Sequence, residues 1–129
     1  MILADPTSKR TILCIDDDEA ILRYEKLLLE RSGYAVLTAA SAEQGLRLVS
    51  MCKCDAVLVD YEMPEMNGDE VALAIKLLRP ELTVILLSGS AVPTHALASV
   101  DAFVPKLDAS SQLLPMIAEC CPMTDDLMK

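Results

Sequence analysis

Residues 56–68, AVLVDYEMPEMNG, pass from an uninterrupted apolar run into an acid, Asp60, and then into a segment broken by Pro64 and closed by Gly68. A run without polar alternation is the pattern of a strand covered on both faces, as in a parallel sheet. The strand is read as 55–60 and the stretch from Pro64 to Gly68 as a loop. Val71, Ala74, Ile75 and Leu78 then supply the i, i+3, i+4, i+7 face of a helix that ends near Pro80.

The same alternation extends in both directions. Upstream, a strand over 11–15 runs into Asp16, Asp17 and Asp18, and a helix follows with Ile21, Tyr24 and Leu28 on its inner face and Gly33 as its stop. A second strand spans 34–40, and Ser41 with Gln44 forms a capping box for a helix that turns Leu46 and Val49 inward. Downstream, a fourth strand covers 82–88. The next stretch, 89–99, holds Pro93 and at most a turn and a half of helix over 94–99. A fifth strand is read over 100–104, and a last helix over 110–121 buries Leu113, Ile117 and Cys120, with Pro115 near its first turn.

Strands alternating with helices imply a doubly wound α/β architecture, because right-handed crossovers lay a helix on the sheet after each strand. Pro105 cannot donate to a strand ladder, which puts the fifth strand at an edge and favours the flavodoxin-like five-stranded parallel order 2-1-3-4-5 with a shortened fourth helix. The expected organisation is one domain over 10–122 between flexible ends at 1–9 and 123–129.

Composition narrows the function. Apolar residues at 53% against 24% charged suit a packed domain, and the apolar runs are too short to span a bilayer. A net charge of −9 with scattered basic residues argues against nucleic acid as a partner. The cysteines, Cys14, Cys52, Cys54, Cys120 and Cys121, are odd in number and lack zinc-site spacing, so a reducing, cytoplasmic setting is expected. His95 reads as a surface histidine.

Ligands of such sheets bind beyond the carboxyl ends of the strands, near the switch point between the first and third. There the chain offers Asp16, Asp17 and Asp60, with Ser88 after the fourth strand and Lys106 after the fifth. Gathered carboxylates repel unless a cation neutralises them, and hard oxygen ligands favour Mg²⁺. Lys106 and Ser88 could then hold phosphoryl oxygens, with Asp60 as nucleophile. Asp18 is better suited to cap the first helix.

With ILCIDD at 12–17 and LLSG at 86–89, the stretch around Asp60 resembles the receiver domain of bacterial two-component response regulators, over roughly 9–121. The resemblance implies that Asp60 accepts a phosphoryl group from a phosphohistidine. It implies Mg²⁺ ligation by the Asp17 and Asp60 carboxylates, by the Glu62 backbone carbonyl and, mainly through a water, by Asp16. Ser88 and Lys106 would hold the phosphoryl oxygens, and Phe103, with Ser88, would be the switch pair. The implied partners are a histidine kinase or phosphotransfer protein and a downstream protein, the chain itself being a monomer or weak dimer. Catalysis would be confined to its own phosphorylation and dephosphorylation. A stand-alone receiver would signal by association, and the Glu62 side chain would affect acyl-phosphate lifetime.

Two departures stand out. Leu107 replaces the usual proline after Lys106, so the 106–107 bond is expected to be trans, since a non-proline cis bond costs about 2.5–4 kcal/mol. The interval from Ser88 to Lys106 is also shorter than the family generally shows. Both features motivate an alternative reading as a pseudo-receiver, a binding module that acts without phosphorylation.

Overall fold

The computed structural model describes residues 9–121. Five parallel strands form one sheet in the order β2-β1-β3-β4-β5: β1 Thr11–Ile15, β2 Ala35–Ala39, β3 Ala56–Asp60, β4 Thr83–Ser88 and β5 Ala102–Pro105. The helices are α1 Glu19–Arg31, α2 Ala42–Met51, α3 Gly68–Leu78 and α4 Ala109–Cys120. This is the expected topology, with β5 and its Pro105 at an edge. The expected ends at 1–9 and 123–129 lie outside the described residues except for Lys9, as does residue 122. No helix among the described residues is long and apolar enough to cross a membrane.

The sheet is buried on both sides because adjacent residues of β1, β3 and β4 serve opposite cores. Leu13, Ile15, Val57, Val59, Val84 and Leu86 pack with Val49 of α2 and Val71, Ala72 and Ile75 of α3. Ile12, Cys14, Leu58, Ile85 and Leu87 pack with Leu22 and Leu29 of α1 and Leu113 and Ile117 of α4. Polar groups at the element ends set the boundaries. Asp18 caps α1 by accepting the Ala20 N–H at 2.9 Å, and Gly33, at φ 97°, takes the left-handed conformation that ends the helix. Ser41 accepts the Gln44 N–H at 3.1 Å, while the Gln44 side chain reaches the Ala40 N–H at 2.9 Å.

Several expected details are corrected. The inner face of α1 is Leu22, Glu25 and Leu29, and Tyr24 is exposed. The sequence from Leu27 to Leu29 is apolar throughout, so the stripe could be drawn one residue off. Leu78 is exposed at the C-terminal end of α3, and the inward face includes Ala72 nearer its start. Cys121 is buried in place of Cys120, and Pro115 sits in the second turn of α4, which begins at Ala109. The segment after β4 holds only a 3-10 turn, Thr94–Leu97, whose Ala96 is fully buried and whose His95 is exposed. β5 begins at Ala102 because Asp101 is occupied otherwise: its Oδ2 accepts the Val84 N–H at 2.8 Å and Lys76 Nζ at 2.7 Å. That peg fastens the shortened segment to β4 and α3. All described peptide bonds are trans, Lys106–Leu107 included.

Candidate functional site

Parallel pairing brings the carboxyl ends of β1 and β3 side by side, so the acids that follow them meet although they lie far apart in sequence. Asp16 continues β1, donating its N–H to the Ala39 carbonyl at 3.1 Å, and Asp60 is the last residue of β3. Both are buried, while Asp17 is exposed above them. Carboxylate oxygens of Asp16, Asp17 and Asp60 lie within 4.8 Å of one another, the one such grouping of potential metal ligands among the described residues.

Lys106, placed by the end of β5, closes the far side. Its Nζ lies 3.0 Å from Asp60 Oδ1 and 3.3 Å from Asp16 Oδ2. Asp16 Oδ1 also accepts the Asp18 N–H at 2.9 Å, and the Glu62 N–H lies 3.4 Å from Asp60 Oδ1. Burial pushes the Asp16 and Asp60 carboxyls above the ordinary carboxylate range despite these partners. Burial works against the Lys106 ammonium too, but its contacts with Asp60 and Asp16 more than offset this and hold its pKa above the usual lysine value. One ammonium therefore faces three carboxylates. The set fits a hard divalent cation such as Mg²⁺: the donors are oxygens, the repulsion is only partly neutralised, and Asp17 keeps one side open to solvent.

The loop after β3 is shaped by Gly68, whose N–H donates to the Tyr61 carbonyl at 2.7 Å. A Cβ at this position would run into the Asp60 carbonyl and come within 2.7 Å of Tyr61 Cα. Ser88 reaches the same rim at the end of β4, but its hydroxyl is bonded to Ser90 rather than to Asp60 or Lys106. Glu62 is exposed, and its side chain accepts the Ser90 hydroxyl at 2.8 Å. Phe103, half-buried, lies opposite Leu86 in the β4–β5 register and packs on the α2–α3 side of the sheet. Leu107 is 91% exposed directly after Lys106.

Sequence reasoning missed Glu25. This α1 residue is only 4% exposed and packs against Cys14 behind the rim. Burial, reinforced by the charge of Asp16, pushes its carboxyl up to about 8, while the Cys14 thiol is pushed well above its ordinary value by burial and by Glu25. The available signal was its spacing, i+3 from Leu22 and i−4 from Leu29.

The receiver domain model of response regulators matches residues 12–117. The chain belongs to that family. A CheY-like receiver domain protein from Methanospirillum hungatei is 34% identical with a TM-score of 0.82, covering 87% of this chain and 93% of that one. The response regulator TrrA from Thermotoga maritima, solved in complex with Mg²⁺ and BeF, is 28% identical with a TM-score of 0.79, covering 86% and 98%. The transcriptional regulatory protein GlrR of Escherichia coli strain K12 is 35% identical over 88 residues, 68% of this chain and 20% of the relative. The cell cycle response regulator CtrA of Brucella ovis is 32% identical over 80 residues, 62% and 34% respectively. This receiver domain thus spans a fifth to a third of these curated relatives. Receiver domains are signalling domains rather than enzymes that turn over a separate substrate.

Proposed function

We propose that this receiver domain takes a phosphoryl group onto Asp60 from a phosphohistidine of a histidine kinase or phosphotransfer protein, and that the acyl phosphate changes its affinity for a downstream protein in the cytoplasm. The observation that carries the reading is the meeting of Asp16, Asp17 and Asp60 within 4.8 Å, with Lys106 bonded to two of them. No packing requirement explains three acids and an ammonium on one rim.

In the transfer, an Asp60 carboxylate oxygen bonds to phosphorus as the phosphorus–nitrogen bond of the donor breaks, and the imidazole nitrogen keeps the electron pair. Asp16, Asp17, Asp60 and the Glu62 backbone carbonyl would hold Mg²⁺, which when bound supplies positive charge against the carboxylates and the incoming phosphoryl oxygens. Lys106 already stands 3.0 Å from Asp60 and needs only to shift its contact from carboxylate to phosphoryl oxygen. Ser88 would give its hydroxyl proton to another phosphoryl oxygen, and Phe103, on the neighbouring strand, would change rotamer with it.

Incubation with acetyl phosphate and Mg²⁺, followed by phosphate-affinity electrophoresis, tests the reading. Wild type should acquire one base-labile, hydroxylamine-sensitive phosphoryl group and Asp60→Asn none. Equal labelling of both proteins would overturn Asp60 as the acceptor, and no labelling of wild type would favour the phosphorylation-independent binding module.

A further inference from the structure

The Ser88 hydroxyl is occupied by its own loop. It donates to the Ser90 carbonyl at 2.8 Å and accepts the Ser90 N–H at 3.0 Å, and a serine has a single hydroxyl proton to give. Ser90 is held in turn from across the rim. Its Oγ donates to Glu62 Oε2 at 2.8 Å, joining the loop after β4 to the loop after β3. Glu62 carries the chain of contacts on to the site through its N–H, 3.4 Å from Asp60 Oδ1. The side-chain bond that fixes Ser90 therefore fixes the backbone atoms that engage Ser88.

We propose that Glu62 and Ser90 form a latch that keeps Ser88 turned away from Asp60 until a phosphoryl group binds, which makes Ser90 a positioning residue for the phosphoryl site. The inference rests on the phosphoacceptor reading and adds a control over it. With the latch closed, Ser88 reaches a phosphoryl oxygen only by leaving the Ser90 carbonyl. An acyl phosphate on Asp60 brings negative charge to the loop that carries the Glu62 carboxylate, which works against the closed arrangement. Because the closed loop does not offer the Ser88 proton, the stability of the latch is subtracted from the affinity for the phosphoryl group.

The test uses beryllofluoride with Mg²⁺ as the probe, titrated by calorimetry into the full chain. Ser90→Ala should tighten binding about threefold to tenfold, the worth of one exposed hydrogen bond to a charged group. Glu62→Gln should tighten it in the same direction, and Ser90→Thr, which keeps the hydroxyl, should bind as wild type does. In a Ser88→Ala background the Ser90→Ala change should leave affinity unaltered, since no hydroxyl remains to be released; a purely structural role would shift both backgrounds equally. Unchanged or weaker binding by Ser90→Ala, or an equal shift in both backgrounds, overturns the latch alone. Wild type that does not bind beryllofluoride overturns the phosphoacceptor reading and the latch with it.

Discussion

Replacing Glu25 by glutamine removes a carboxyl buried between α1 and β1 while preserving its shape, and the consequence depends on pH. The folded-state pKa is raised from the ordinary 4.5 to about 8, by burial first and then by the charges of Asp16 and Asp60, against the favourable influence of Cys14 and Lys106. Between those values the folded protein keeps a proton that the unfolded chain has lost, so stability falls as pH rises through the window and levels off above about pH 8. At about 1.36 kcal/mol per pKa unit, Glu25 alone removes about 3 kcal/mol between about pH 5.5 and pH 8. Asp16 and Asp60, also raised, act with the same sign in both proteins and cancel to first order in the comparison. Urea unfolding without Mg²⁺, followed by circular dichroism across that pH range, should therefore show the advantage of Glu25→Gln over wild type growing by about 3 kcal/mol. Parallel stability curves, or an advantage that shrinks with rising pH, would refute the placement of an uncharged acid behind the rim.

Four other substitutions follow from the geometry. Gly68→Ala forces a methyl into the Asp60 carbonyl and Tyr61 backbone, and should cost about 1–3 kcal/mol in urea unfolding. Asp101→Ala leaves the buried Val84 N–H without its acceptor and should cost about 1–3 kcal/mol, and Lys76→Met, which loses both the ion pair to Asp101 and the 2.7 Å bond to the Leu82 carbonyl, should cost about 1–2 kcal/mol by the same assay. Lys106→Met should slow labelling by acetyl phosphate about tenfold or more, and an unchanged rate would remove the lysine from the phosphoryl site.

The sheet order was readable because its signals are local. Apolar runs such as Val57 to Val59 fit doubly covered strands, and Pro105 favours an edge position for the strand that it ends. The meeting of Asp16, Asp17, Asp60 and Lys106 was also readable, since each ends or closely follows a strand and a parallel sheet collects such ends on one rim. What escaped depends on contacts between distant residues or on a rotation about a helix axis. Glu25 escaped because the inner stripe of α1 was drawn through Ile21, Tyr24 and Leu28, whereas it faces inward with Leu22 and Leu29. The Ser90 bond to Glu62 joins two polar loop residues 28 positions apart, for which no periodicity exists. Segment 94–99 was too short to nucleate a helix of its own and settled as one 3-10 turn, anchored by Ala96 beneath it and by Asp101 beyond it.

The account stands on the capacity of the Asp16, Asp17 and Asp60 rim to bind a divalent cation and a phosphoryl group together. A crystal structure of the protein with Mg²⁺ and beryllofluoride addresses this. The account predicts a beryllium–oxygen bond to Asp60, a cation among the three carboxylates, and Lys106 and the Ser88 hydroxyl on the fluorine atoms. Beryllofluoride bound elsewhere, or Asp60 still paired to Lys106 alone with no cation beside it, would contradict it.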